Sequence, residues 1–388
     1  MVSFELAPEQ QDLRDSVAQF AREVVAPVIG GFYERGEFPY DIVARMGKLG
    51  LFGLPFPEEY GGMGGDYFAL CLALEELARV DSSVAITLEA GVSLGAMPIY
   101  RFGTEAQRRR WLPELCAGER LAAFGLTEPG GGSDIPGGMR TTARLEDGEW
   151  VVDGNKAFIT NSGTSITSAV TVLAITGRDE RGRKEISSII IPNGTAGFVP
   201  GQEYSKVGWC ASDTRELSLD GVRVPAENLL GERGRGYAQF LQILDEGRVA
   251  IAALATGLAQ GCVDECVRYA AQREAFGRRL EAHQAIQFSI ADMEARAHTA
   301  RLAWYDAAAR LVAGQPIKKE SAIAKLTASN AAMDNARAAT QVFGGYGFMN
   351  ESAVGRFYRD AKVLEIGEGT SEVQRMLIAR ELGVGAGG

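Results

Sequence analysis

From Pro8 to about residue 118, apolar residues return at three- and four-residue intervals, as at Leu13, Val17, Phe20 and Val24, a spacing that predicts amphipathic helices. Pro8 suits the first helical position, where an N–H would have no partner in any case. Further helices are predicted over residues 40–48, 66–80 and 105–117. Between about 120 and 232 the period falls to two. Residues 121–125, 139–145, 149–152, 169–175, 186–191 and 216–224 read as strands, and Asp147-Gly148 supplies hairpin-turn chemistry. From Tyr237 long helical patterns return, broken at Gly277, Gly314-Gln315-Pro316 and Gly344-Gly345, which predicts a bundle of three or four long helices. The pattern therefore predicts an α+β multidomain chain: an all-α domain over residues 1–119, an antiparallel β-domain over 120–233, and a four-helix-bundle-like domain over 234–388. The glycine-rich end, residues 383–388, reads as a frayed tail.

Composition narrows the function classes. The 388 residues carry 40 Lys+Arg against 50 Asp+Glu, a net charge of −10. Sequence-independent nucleic-acid binding needs a cationic surface, and the one basic run, Arg108-Arg109-Arg110, is too short to make it. The longest apolar stretch, residues 249–258, is shorter than the ~18 residues of a membrane span. The acidic start does not resemble a signal or transit peptide, and the five cysteines are few and odd in number. Reduced thiols in a cytoplasmic protein are expected. On that expectation the sequon Asn193-Gly194-Thr195 carries no meaning.

Several chemistries are set aside by context. Gly91-Val92-Ser93-Leu94-Gly95 has the spacing of a hydrolase nucleophile elbow, which requires a strand before the serine, yet its flanks read as helical. The two histidines, His283 and His298, have no partners at metal-ligand spacing, and Cys262 with Cys266 lacks a second pair, so no metal is expected. The single G-x-G-x-x-G match falls on the last six residues, where no chain remains to form the pyrophosphate-binding helix.

Five clusters carry candidate chemistry. Leu126-Thr127-Glu128-Pro129-Gly130-Gly131-Gly132-Ser133-Asp134, entered from the strand at 121–125, mixes hydroxyls, acids and glycines beyond the needs of a turn and reads as a ligand loop. In Lys156-Ala157-Phe158-Ile159-Thr160-Asn161, strand alternation puts Phe158 and Thr160 on one face, suited to cover and bond a planar heterocycle. Arg273, Phe276 and Gln284 offer a cation, an aromatic and an amide at a helix break. Gln341-Val342-Phe343-Gly344-Gly345 places backbone where a ligand can touch it. In Ile366-Gly367-Glu368-Gly369-Thr370-Ser371-Glu372, a carboxylate between two glycines leads into a helix. An apolar pocket would raise its pKa toward that of a general base, whereas an exposed site would make it an ordinary helix-start acid. Taken singly, the last four each also read as plain structure.

Together, in this order, the five clusters resemble the acyl-CoA dehydrogenase family of flavoenzymes along nearly the whole chain. The resemblance implies FAD as cofactor, with residues 124–133, among them Phe124, Leu126, Thr127, Gly132 and Ser133, lining the isoalloxazine. It places Phe158, Ile159 and Thr160 against the ring. Arg273, Phe276, Gln284, Gln341, Val342, Gly344 and Gly345 would reach the FAD of a neighbouring subunit, in a homotetramer built as a dimer of dimers. Thr370 and Glu372 would contact the FAD of their own chain. Ser133, Asp245, Arg248, Gly367 and Gly369 would lie on the substrate side. Glu368 would be the catalytic base, removing the α-proton of an acyl-CoA while the β-hydrogen leaves as hydride to flavin N5, giving a trans-2-enoyl-CoA. The family holds the thioester carbonyl with the base's own N–H and a ribityl hydroxyl. Some members carry their base on an earlier helix, where this chain has Gly247.

The resemblance further implies electron-transfer flavoprotein as acceptor and a place in fatty-acid or branched-chain amino-acid catabolism. Two departures stand out: Gly367 where many members have an aromatic residue, which predicts room for a branched or bulky short acyl group, and Phe158 where many have tryptophan. The competing readings are an acyl-CoA oxidase, a non-catalytic acyl-CoA-binding relative, and a member acting on nitroalkanes or in decarboxylation.

Overall fold

Helix starts follow the capping residues that the sequence supplies. The structure, a computed structural model, describes residues 5–384, so Gly385 to Gly388 of the expected frayed tail lie outside the described residues. Helix α1 (Pro8–Phe20) opens on the predicted proline and passes through a π segment (Ala21–Val25) into α2 (Ala26–Arg35). Then come α3 (Tyr40–Lys48), α4 (Tyr67–Ala78), α5 (Ser82–Glu89), a second π segment (Ala90–Ala96), α6 (Met97–Phe102) and α7 (Glu105–Cys116). Asp66, Asp81 and Thr104 stand just outside α4, α5 and α7 as N-caps, accepting from Ala69 N (2.9 Å), Ser83 N (2.9 Å) and Gln107 N (3.2 Å).

The middle of the chain forms β1 (Leu121–Gly125), a short α8 (Ile135–Gly138), β2 (Thr142–Glu146), β3 (Glu149–Thr160), β4 (Thr167–Arg178), β5 (Lys184–Pro192), β6 (Phe198–Glu203), β7 (Thr214–Pro225) and β8 (Leu229–Leu230). They make one sheet in the order β6-β7-β3-β2-β4-β5-β8, with β1 added against β4. Pairing is antiparallel except where β1 and β2 meet β4 in parallel. The strand expected at 139–145 starts only at Thr142, because Asp134 caps the preceding residues into α8. The strands expected at 149–152 and 156–161 are one long β3. β6 escaped the sequence reading because Pro200 and Gly201 interrupt its pattern; it sits at the sheet edge, where a proline is tolerated.

Three long helices and two shorter ones complete the chain: α9 (Gly236–Gln272), a hairpin of β9 (Glu274–Ala275) and β10 (Arg278–Arg279), then α10 (Gln284–Val312), α11 (Lys318–Phe343), α12 (Ala353–Leu364) and α13 (Ser371–Glu381). The breaks fall where Gly277, Gly314 and Gly344 take positive φ. α9 is the central helix, packed on α4, α10 and α11. Gly257 and Gly261 let it approach α4 closely, since a Cβ at either would run into the carbonyl of Glu75 or Arg79. The α4 carboxylate of Glu75 is bound by Arg301 Nε at 2.6 Å and Trp304 Nε1 at 2.8 Å, tying α4 to α10. By length and composition α9 and the stretch Ser82–Phe102 are apolar enough to cross a membrane, but their apolar windows are 89% and 94% buried inside the protein. Both are core helices of this fold.

Candidate functional site

The loop between α12 and α13 presents Glu368 in a strained backbone. Its φ is +51°, in the left-handed region that non-glycine residues avoid, and Gly369 beside it is at +92°. Six described non-glycine residues have positive φ, and Phe158, Phe276 and Glu368 are three of them. Strain of this kind persists where the surroundings over-determine it, often at functional sites. Here the clamps are side chains from below: Lys325 Nζ donates to Gly369 O at 2.7 Å, and Gln374 Nε2 donates to Gly369 O at 2.8 Å and Glu368 O at 3.3 Å. Thr370 Oγ1 caps α13 by accepting from Val373 N. Glu372 lies in the exposed first turn of α13, where its own backbone N–H and then the Thr370 hydroxyl hold its carboxyl below the usual range.

Both carboxylate oxygens of Glu368 are shielded from solvent, and no N–H or basic side chain bonds them among the described residues. Burial pushes the carboxyl up to about 7, with the neighbouring Glu89 carboxyl and the charges of Lys325 and Arg248 drawing it back. Gly247 faces this carboxylate so closely that a Cβ there would strike Glu368 Oε2. A carboxyl side chain at 247 and one at 368 would contend for the same space, so Gly247 leaves the position to Glu368. One turn of α9 holds Arg248, buried and paired with Asp245. Lys325 is fully buried beneath the loop, and burial lowers it to about 8. Sequence reasoning missed Glu89 and Lys325: the first sits in an apolar helical run, the second in an ordinary polar helix, and only the fold brings either to Glu368.

The loop at 126–134 is anchored from behind. Ala157 N donates to Thr127 O at 2.9 Å, and Glu128 forms a buried ion pair with Lys156 at 2.8 Å. Glu128 also accepts from Arg140 N (2.6 Å) and Thr141 N (3.1 Å). Burial raises the Glu128 carboxyl, but Lys156 and these donors outweigh it and hold the group below its usual range. The acid of the motif is therefore a fastener, while Gly132 and Ser133 lie at the open side.

Phe158 is 65% exposed, stacked on Tyr204 at 5.2 Å, at φ +60° in a register shift of β3. The shift breaks plain alternation, yet Phe158 and Thr160 are both less buried than Ala157 and Ile159. An exposed ring beside a glycine-rich loop whose backbone is pinned fits a planar flavin. Two other predicted contacts point elsewhere. The Phe124 ring stacks on Phe240 of α9 at 4.5 Å, and Ile159 lies in the sheet core, so each offers a ligand only backbone. Leu126 packs on the Phe124 cluster.

The remaining residues gather on a separate surface. The β9–β10 hairpin and the end of α11 bound an open depression of about 530 Å³, lined by Arg273, Val342, Gly344 and Gly345 among others. The Arg273 guanidinium lies over the Tyr346 ring, 5.8 Å from its centroid. Phe276 is 96% exposed, and Gln284 and Gln341 are exposed. The candidate residues thus fall into three groups: Glu368 with Gly247, Arg248, Lys325 and Glu89, the loop at 126–134 with the end of β3, and this outward surface.

The nucleophile-elbow spacing does not fold as an elbow. Ser93 lies in the π segment, not after a strand, and its hydroxyl is buried 2.8 Å from Tyr67 Oη. No cluster of metal-ligating residues occurs among the described residues.

Comparison with known proteins places these features in context. Three family models match: the acyl-CoA dehydrogenase N-terminal domain at residues 7–119, middle domain at 123–222 and C-terminal domain at 234–383. The chain is 46% identical over 381 residues to a "Probable acyl-CoA dehydrogenase YngJ" of Bacillus subtilis, covering 98% of this chain and all of the relative. It superposes with TM-score 0.94 on butyryl-CoA dehydrogenase from Megasphaera elsdenii, at 41% identity, covering 98% of this chain and 100% of that one. A chain in the solved "Electron transferring flavoprotein of Acidaminococcus fermentans" also matches at TM-score 0.94, with 39% identity over 98% of this chain and 99% of that one.

Proposed function

This chain belongs to the acyl-CoA dehydrogenase family of FAD-dependent oxidoreductases, and we propose that it oxidises a short or branched acyl-CoA to the trans-2-enoyl-CoA with Glu368 as the base. The observation that carries the reading is the carboxylate itself: strained, solvent-shielded, raised toward neutrality and facing a residue without a side chain. An acid tuned this way takes a proton from carbon near neutral pH. Bound FAD supplies the two-electron acceptor for the β-hydride. Glu368 Oε takes the α-proton, and the N–H of Glu368 holds the thioester carbonyl as charge develops on it. Thr127, Ser133, Phe158, Thr160, Thr370 and Glu372 are proposed to hold FAD, with Phe124, Leu126, Gly132 and Ile159 contributing backbone. Asp245, Arg248, Gly367 and Gly369 are proposed to border the substrate.

The outward surface is proposed to complete the FAD site of a second copy within a homotetramer. The exposed rings of Phe276, Tyr346 and Phe348 beside the depression support this, since such rings are rarely left to solvent. Five free thiols, four of them buried, suit a cytoplasmic enzyme.

Space beside the base supports the choice of acyl group: a Cβ added at Gly367 meets only Val363 O, at 3.5 Å. Gly367→Tyr is expected to lower kcat/KM for a branched acyl-CoA about tenfold or more relative to a straight short chain, the scale of a lost apolar contact or a steric clash. An unchanged preference in competition assays would refute the assigned role of Gly367.

We propose electron-transfer flavoprotein as the acceptor, a reading supported by the match to a chain in the A. fermentans flavoprotein structure. Reduced enzyme mixed with electron-transfer flavoprotein is expected to reoxidise in a burst, and in air only slowly. Fast turnover in air with peroxide release would instead identify an acyl-CoA oxidase.

A further inference from the structure

The buried acid facing the base is unaccounted for by the reaction as described. Glu89 ends α5, where the chain passes into the π segment Ala90–Ala96, an irregularity that re-aims side chains and recurs at functional sites. It is fully buried, and neither carboxylate oxygen has a donor among the described residues when the group is charged. Leaving an ionised carboxylate so placed is costly. The groups beside it are the Glu368 carboxyl and the Ser93 hydroxyl, the latter also 2.8 Å from Tyr67 Oη. Two carboxylates cannot hydrogen-bond to each other, but with one proton between them they can.

We propose that Glu89 is a positioning residue that keeps a proton and donates it in a hydrogen bond to the carboxylate of Glu368, holding the base ionised and aimed inside a dry pocket. The inference rests on Glu368 being the base. Burial raises the Glu89 carboxyl well above its usual range, and the charge of Glu368 raises it further. The cations Lys325 and Arg248 stand near Glu368 and draw it down, and none does so for Glu89, so of the two acids Glu89 is the one that stays protonated. Other groups cannot take this part. From α9, Glu246 is paired to Arg101, and Arg248, paired to Asp245 through its guanidinium end, leaves Nε unbonded without reaching either oxygen of Glu368. From α11, Lys325 is spent on Gly369 O. From α4, Tyr67 and Cys71 are neutral and raised by burial.

During turnover the α-proton passes to Glu368 and the proton on Glu89 stays, so the pair then holds two protons. One must leave before the next cycle, which couples the base's recovery to this pair.

The test is the pH profile of anaerobic flavin reduction in FAD-loaded wild type, Glu89→Gln and Glu89→Met. In wild type the rate should rise with pH through about 7, as Glu368 ionises. Glu89→Gln retains an N–H donor and should keep that limb. Glu89→Met removes the donor, so the ionised base loses stabilisation and the limb should move up by about one to two pH units, the range of a hydrogen bond to a charged group. Independently of turnover, the infrared carbonyl stretch of a protonated acid should persist well above neutral pH in wild type and be missing in Glu89→Gln. Coincident profiles for all three proteins, or no such band in wild type, overturn the proposal. Should Glu89→Met fail to retain FAD, the infrared comparison decides alone. If Glu368→Gln reduces flavin normally, the assignment of the base fails instead, which separates the two outcomes.

Discussion

Glu368→Gln should retain FAD and bind acyl-CoA, yet reduce its flavin about a thousandfold more slowly, in the middle of the range for losing a positioned general base. The amide matches the carboxyl in shape and sits in the same left-handed turn, because Lys325 and Gln374 bind backbone carbonyls and not the side chain. The loss should therefore appear in the rate of reduction and not in cofactor content or ligand affinity. Stopped-flow mixing with butyryl-CoA separates these readouts. A variant that bleaches at the wild-type rate would show that another group takes the proton. Gly247, directly opposite, has no side chain with which to do so.

Lys156→Met is expected to be the most damaging substitution away from the reacting atoms. Lys156 is wholly buried and pairs at 2.8 Å with Glu128, the acid at the root of the loop that borders the proposed flavin site. Removing the cation leaves a buried carboxylate held only by two backbone N–H groups, and breaking such a pair costs about 3–5 kcal/mol. The melting temperature should fall by several degrees, and the protein should lose FAD on gel filtration. A Glu128→Leu, Lys156→Met double variant, which leaves no orphaned charge, should recover much of the stability. A single variant that melts as wild type and stays yellow would mean that the loop does not depend on this pair.

How much of this was legible in the sequence depends on range. Features written within a few residues read correctly. Pro8 opens α1, Asp147 and Gly148 turn β2 into β3, and the glycines at 277, 314 and 344 break the helices where expected. The Glu368 loop was legible in part: a carboxylate between two glycines is a local statement about bulk and backbone freedom, but whether it is buried or an exposed helix-start acid was left open by the sequence and is decided by the fold. Side-chain direction was less so. Phe124, which the resemblance places in the stretch lining the flavin, turns its ring into a cluster with Phe240, and a shift of register at Phe158 replaces the expected alternation. What depends on tertiary pairing was not legible at all. Nothing near Glu89 announces Glu368, nothing near Lys325 announces the loop it clamps, and Glu128 reads as part of a ligand loop until β3 brings Lys156 beneath it. β6 was lost because its proline and glycine imitate a loop, and only its place at the sheet edge makes it a strand.

The most direct measurement is anaerobic titration of the FAD-loaded protein with butyryl-CoA and its branched homologue, following flavin absorbance and identifying the released thioester. The predicted result is bleaching of the flavin with formation of trans-2-enoyl-CoA in equal amount, in wild type but not in Glu368→Gln. A flavin that stays oxidised with every acyl-CoA offered, or one bleached without an enoyl product, would contradict the central claim.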